Sequence, residues 1–97
     1  ESLIANQEQR QIHELLMANI NALPARQREL IVMKFYEGLS YDEIVEKTGL
    51  THRTVYNKIH EALKKLKQDI GKEQGIYGAA LSILVTSIIT TLHVTGN

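Results

Sequence analysis

Ninety-seven residues with 11 basic and 11 acidic side chains, zero formal net charge and no cysteine describe one small domain with a modest core. The missing cysteines exclude disulfides and thiolate metal sites and fit a reducing, cytoplasmic compartment. His13, His52, His60 and His93 lack ligand-like spacing, and there is no glycine-rich phosphate loop, nucleophile elbow or catalytic carboxylate pair. Neither a metal, a cofactor nor an enzymatic activity is expected.

Residues 1–22 read as one helix, with Leu3, Ile4, Ile12, Leu15, Leu16, Ala18 and Ile20 as apolar positions and Asn6 to Arg10 as an exposed polar stretch. The chain opens on Glu1 with no signal peptide ahead of it, as expected of a fragment or a processed chain. Pro24 opens a second helix, where its missing N–H costs nothing. The run ARQRELIVMKFYEG is expected to bury Leu30, Ile31, Met33 and Phe35 in some combination, to keep Arg26, Arg28 and Lys34 on its polar side, and to end at Gly38. Leu39 plugs the connection that follows.

Ser40 and Glu43 have the spacing of a capping box, in which each side chain satisfies the other's free backbone donor. A short helix through Asp42 to Thr48 stops at Gly49, the residue best able to adopt the left-handed conformation. Thr51 caps the next helix. There Val55, Ile59, Leu63 and Leu66 form one buried stripe. A short helix, a glycine turn and a longer helix make a helix-turn-helix pattern, whose second helix usually enters a DNA major groove. Charge is distributed accordingly. Glu37 to Lys47 is acidic, whereas His52 to Lys67 carries Arg53, Lys58, Lys64, Lys65 and Lys67 against Glu61 alone.

The helix fades near Ile70, and residues 71–75 (GKEQG) read as a hinge. From Ile76 to Val94 there is no formal charge. As a helix this run would be roughly as long as a bilayer's hydrocarbon core is thick. Ser82, Thr86 and Thr90 fall on one stripe of it, which suits a helix packed on protein by a wide apolar face. Its β-branched residues also allow a local strand, although no second strand candidate exists to pair with it. Ile83, Leu84, Ile88 and Leu92 are the expected contacts for self-association or for a membrane. The domain organisation is thus 1–70 for the helix-turn-helix unit, 71–75 for the hinge and 76–97 for the hydrophobic tail, all of it α-helical.

From Leu23 to Lys67, LPARQRELIVMKFYEGLSYDEIVEKTGLTHRTVYNKIHEALKKLK resembles region 4 of bacterial RNA polymerase sigma factors, most nearly the extracytoplasmic-function group. The resemblance rests on four pieces in combination. They are the Leu23, Pro24, Arg28, Glu29 opening, the junction from Phe35 to Ile44, the G-L-T turn and the segment from Thr54 to Leu66. It covers about half the chain and implies a four-helix DNA-binding domain that reads the −35 promoter element and docks on the flap of the polymerase β subunit. The family's region 2 is absent here, and the apolar tail lies beyond the common pattern. A response-regulator output domain of the LuxR type is a poorer match at Pro24 and at Tyr41 to Ile44. A module acting through its apolar tail, by interaction or membrane tethering, is the rival of another class.

At the start of the second helix of the pair, His52, Arg53, Tyr56 and Asn57 are the candidate base contacts, since side chains there reach base edges. Arg53 suits a bidentate contact to guanine and Asn57 one to adenine. Arg28, Lys34, Thr51, Lys58, His60 and Lys64 are the candidate phosphate contacts, which set position without reading sequence. Leu16, Ile20 and Leu23 are the candidate groove for a partner helix, from the polymerase or an anti-sigma factor, or else simply core.

Overall fold

The computed structural model describes residues 3–72 and 75–95, with side chains for residues 7–72 and 75–92. Helix α1 spans Leu3–Asn21, α2 Ala25–Ile31, α3 Tyr41–Thr48, α4 His52–Gly71 and α5 Ile76–Thr95. A π-helical segment, Val32–Tyr36, continues α2. No strand occurs among the described residues, so the expected all-α helix-turn-helix fold is the one observed.

Helix α4 is the axle of the molecule. Its stripe of Val55, Ile59, Ala62, Leu63, Leu66 and Ile70 is at most 3% exposed, and α1, α2, α3 and α5 all pack against it. Ile20, Leu23, Leu30, Ile31 and Ile44 close the core from the first three helices, and Leu81 and Val85 close it from α5. Among the described residues no fully buried position is polar or charged. Each buried Leu, Ile or Val therefore contributes about 1.5–3 kcal/mol without a compensating desolvation cost.

Two expectations are corrected by the packing and a third is narrowed. Pro24 stands one place earlier than expected, as the N-cap of α2, with φ −54° and ψ 149°. Phe35 is 39% exposed and Tyr36 49%, because the π segment inserts an extra residue into the turn. Glu37 N–H donates to Val32 O across five residues at 2.9 Å, and Phe35 stands at the rim of an apolar pocket that Leu16, Ile20 and Val85 also line. Leu39 is half-buried against the core as expected, with its N–H donating to Met33 O at 3.0 Å. Ala18 is exposed, whereas Ile12, Leu15 and Leu16 are half-buried. The expectations for Leu3, Ile4 and Asn6 fall outside the described side chains, as does that for His93.

Of the expected hinge, Gly71 ends α4, Lys72 caps it and Gly75 has φ +111°. Residues 73 and 74 lie outside the described residues. Helix α5 seats its Leu81–Val85 side on α4 and α1. Ser82 and Thr86 are half-buried at the edge of that contact, the Thr86 hydroxyl donating to Ser82 O at 2.8 Å. Among the described residues no helix is long and apolar enough to cross a membrane.

Candidate nucleic-acid interface

The turn between α3 and α4 is held by local hydrogen bonds that the sequence dictates. Ser40 N–H donates to Glu43 Oε1 at 2.8 Å, and Glu43 N–H donates to Ser40 Oγ at 3.1 Å, completing the capping box. Gly49 adopts the left-handed conformation, φ +77°, and donates to Val45 O at 2.8 Å. The Thr48 hydroxyl donates to Ile44 O and accepts from Leu50 N–H, bridging the helix end to the turn. Thr51 then accepts from Thr54 N–H at 3.1 Å and starts α4. With Val55 and Ile59 fully buried, this turn fixes which side of α4 faces out.

That outer side is continuous. Arg53, Asn57, His60, Lys64 and Lys67 follow one another at intervals of three or four residues and so share a face. Arg53, Asn57, Lys64 and Lys67 are exposed, and among the described residues no hydrogen bond or ion pair holds the head group of any of them. Lys67 was not among the candidates from sequence, although continuing the same spacing by one step finds it. Lys64 and Lys67 line a shallow recess with Gln68, Gly71 and Lys72, bounded by Ser82 of α5. Lys58 is half-buried on a different flank, beside Thr54 and Glu61. Lys65 pairs with Asp69 at 3.3 Å, away from the stripe.

Beside the stripe runs an aromatic file that links α3 to α4. The Tyr41 ring lies 5.5 Å from that of His52 and 5.9 Å from that of Tyr56, and Tyr56 lies 4.1 Å from His60. Lys34 Nζ sits 4.5 Å over the Tyr41 ring, a cation–π contact that draws the π segment onto the same file. His52 Nε2 also stands 3.8 Å from Asp42 Oδ1. Tyr41 itself was missed from sequence, because its role arises from a contact between helices that no local pattern announces.

Several candidates serve the fold instead. Arg28 donates through Nη1 to Asn21 O at 3.1 Å and to Leu23 O at 3.2 Å, so that arm of its guanidinium closes the end of α1. The Thr51 hydroxyl is engaged twice, accepting from Thr54 N–H and donating to Thr54 Oγ1 at 2.9 Å. His60 Nδ1 lies 3.0 Å from Tyr56 O, and since a carbonyl only accepts, this nitrogen carries the proton. The other ring nitrogen, Nε2, is buried without a partner, so this ring offers a phosphate no donor. Ile20 and Leu23 are 2% and 3% exposed and belong to the core, which removes them from any open groove. Leu16 is half-buried against them. On α5, Ile83 and Leu84 are 67% and 56% exposed, while Ile88 and Leu92 are half-buried.

The Tyr41 hydroxyl is buried without a partner, and burial, then the neighbouring Tyr56, pushes its pKa above the ordinary 10.0. A phenol with a raised folded pKa holds its proton more tightly when folded. Its contribution is complete below the unfolded pKa and is lost as pH rises through the folded one. Denaturation between about pH 9 and about pH 11, spanning the ordinary phenol pKa, should therefore show wild type losing stability more steeply than Tyr41→Phe. At neutral pH Tyr41→Phe should be neutral or stabilising, because it removes an unsatisfied polar group.

A capped short helix, a left-handed glycine and a helix with an unpaired polar outer face define a helix-turn-helix domain of the nucleic-acid-binding class. More specifically, the chain belongs to the Sigma-70, region 4 family, whose model matches residues 13–66, more than half of its length. It is similar to the RNA polymerase sigma factor SigV of Bacillus subtilis, 36% identical over 62 residues that cover 64% of this chain and 35% of that protein. It is also similar to the RNA polymerase sigma-E factors of Streptomyces coelicolor and Streptomyces avermitilis. Each is 30% identical over 63 residues, which cover 65% of this chain and 36% and 35% of those proteins. The chain thus spans about a third of the length of the curated relatives it matches. No solved structure matches it. Among the described residues no group of acidic, histidine or cysteine side chains could hold a metal ion.

Proposed function

We propose that this chain is the promoter-reading part of an extracytoplasmic-function sigma factor. In this reading the N-terminal end of α4 enters the major groove of the −35 element, and RNA polymerase core holds the domain through the flap of its β subunit. One observation supports it above the others: Arg53 and Asn57 stand exposed and unpaired opposite the fully buried Val55 and Ile59. Those are the residue types that make bidentate contacts to guanine and adenine. Tyr56 is half-buried in the aromatic file, where it could touch a thymine methyl or a phosphate, and His52 is exposed.

Lys64 and Lys67, further along the stripe, are the phosphate contacts of this account; Lys34 sits over the Tyr41 ring and Lys58 on another flank of α4. Few such contacts give modest affinity at physiological salt, so attachment to the polymerase is part of the function. Lys64→Ala should weaken binding to cognate and scrambled duplexes alike and reduce the salt slope by about one. Titrating both duplexes at several salt concentrations checks this. A loss confined to the cognate duplex would move Lys64 from positioning to reading.

A further inference from the structure

The family match ends at residue 66, so the last turn of α4 and the whole of α5 lie beyond it. There Lys64, Lys67 and Lys72 gather with Gln68 around a shallow recess that Ser82 of α5 closes. Ser82 and Ala79 are three residues apart and so are neighbours on the surface of α5. Ala79 in turn continues an exposed row made with Ile76 and Ile83. Basic recess and apolar row therefore adjoin. We infer that together they dock this chain on an anionic lipid surface, the row entering the headgroup boundary and the lysines meeting lipid phosphates, and that a chain so docked gives up DNA. The last clause rests on the phosphate role proposed for Lys64 and Lys67; the docking itself does not.

Stable attachment to a membrane surface takes two signals, an apolar anchor and a basic patch, and both are present side by side. Ile76 and Ile83 are 76% and 67% exposed, and α5 carries no Asp, Glu, Lys or Arg, so nothing charged follows the row into the boundary. The domain covers α5 on its Leu81–Val85 side, which leaves the outer row free and lays the helix on a surface rather than through it. Lys64 and Lys67 have no partner among the described residues, and Lys72 reaches Asp69 only at 4.0 Å with its side chain 79% exposed. At ~1.5 Å per residue Lys72 stands roughly 28 Å along the α4 axis from Arg53, well outside a major groove about 8.5 Å deep. A duplex read by Arg53 thus leaves that end of the recess unused. A second copy of the chain is the weaker occupant. Five large apolar side chains are exposed among the described residues, few beside the roughly 20–30 residues a side of a stable pair, and a second α5, being uncharged, offers the lysines no counter-charge.

The test floats the full chain on phosphatidylcholine vesicles with and without phosphatidylglycerol. Wild type should bind the anionic vesicles at least about tenfold more tightly than the neutral ones, and added salt should abolish the difference. Ile76→Gln with Ile83→Gln should weaken anionic binding at least about tenfold and leave DNA binding unchanged, since both side chains are exposed and lie off the DNA face. Lys64→Gln with Lys67→Gln should weaken binding to vesicles and to DNA together. A labelled duplex from site selection should release wild type from the vesicles rather than float with it. Absence of flotation by wild type, or flotation indifferent to Ile76 and Ile83, overturns the docking, and promoter reading stands wherever the same preparation binds the duplex. Wild type that sediments as a dimer, loses the dimer in the Ile76→Gln, Ile83→Gln variant and ignores vesicles assigns the row to a second copy and overturns it equally. Duplex that floats with the vesicle-bound chain overturns the sharing of the lysines. Failure to bind any duplex removes promoter reading and the competition with it, while flotation still decides the docking.

Discussion

Ile59→Ala should lower stability by about 2–5 kcal/mol, the range for deleting most of a buried aliphatic side chain. Ile59 is 0% exposed at the middle of α4, between Val55 and Leu63 on the stripe against which the other helices pack. A domain of this size is stable by only about 5–15 kcal/mol in total, so the variant should be partly unfolded at physiological temperature. Urea denaturation reads the effect as a lowered midpoint with an unchanged slope. Ile83→Ala supplies the contrast: at 67% exposure the same kind of truncation should lie within about 0.5 kcal/mol of wild type. The outward face of α4 can present polar groups only because its inward face is anchored this firmly.

Arg53→Ala should weaken binding to a cognate promoter duplex by about 1–3 kcal/mol and relax preference at a single base position, with little change on scrambled DNA. The fold should not notice, because Arg53 is exposed and makes no hydrogen bond or ion pair among the described residues. That separation sets Arg53 apart from Arg28, whose guanidinium donates to two carbonyls at the end of α1. Arg28→Ala is therefore a poor probe of DNA contact, since lost affinity there would mix with lost structure. Site selection from random duplexes, run on wild type and Arg53→Ala, shows whether one position alone loses its preference.

Local chemistry made much of this structure legible from sequence. The Ser40–Glu43 box, the stop at Gly49 and the Thr51 cap are decided within a few residues, and their hydrogen bonds form as their spacing requires. The α4 stripe was legible for the same reason, since helical periodicity alone separates Val55 and Ile59 from Arg53 and Asn57. Features set by register or by contacts between helices were not. The π turn that exposes Phe35 depends on how α2 meets the loop to α3, and VMKFY carries no glycine or proline to announce it. Arg28 and Tyr41 acquire their roles from a carbonyl or a ring brought close by folding. Ile20 and Leu23 were open to two readings in sequence, groove or core, and burial decides for core.

Chemical-shift mapping of the full chain with a duplex from site selection, against a scrambled duplex of equal length, tests the account most directly. The cognate duplex should shift amides from His52 to Asn57 in a way the scrambled duplex does not, while both move those near Lys64 and Lys67. Shifts confined to the exposed side of α5 around Ile83 and Leu84, or identical responses to the two duplexes at Arg53 and Asn57, would contradict it.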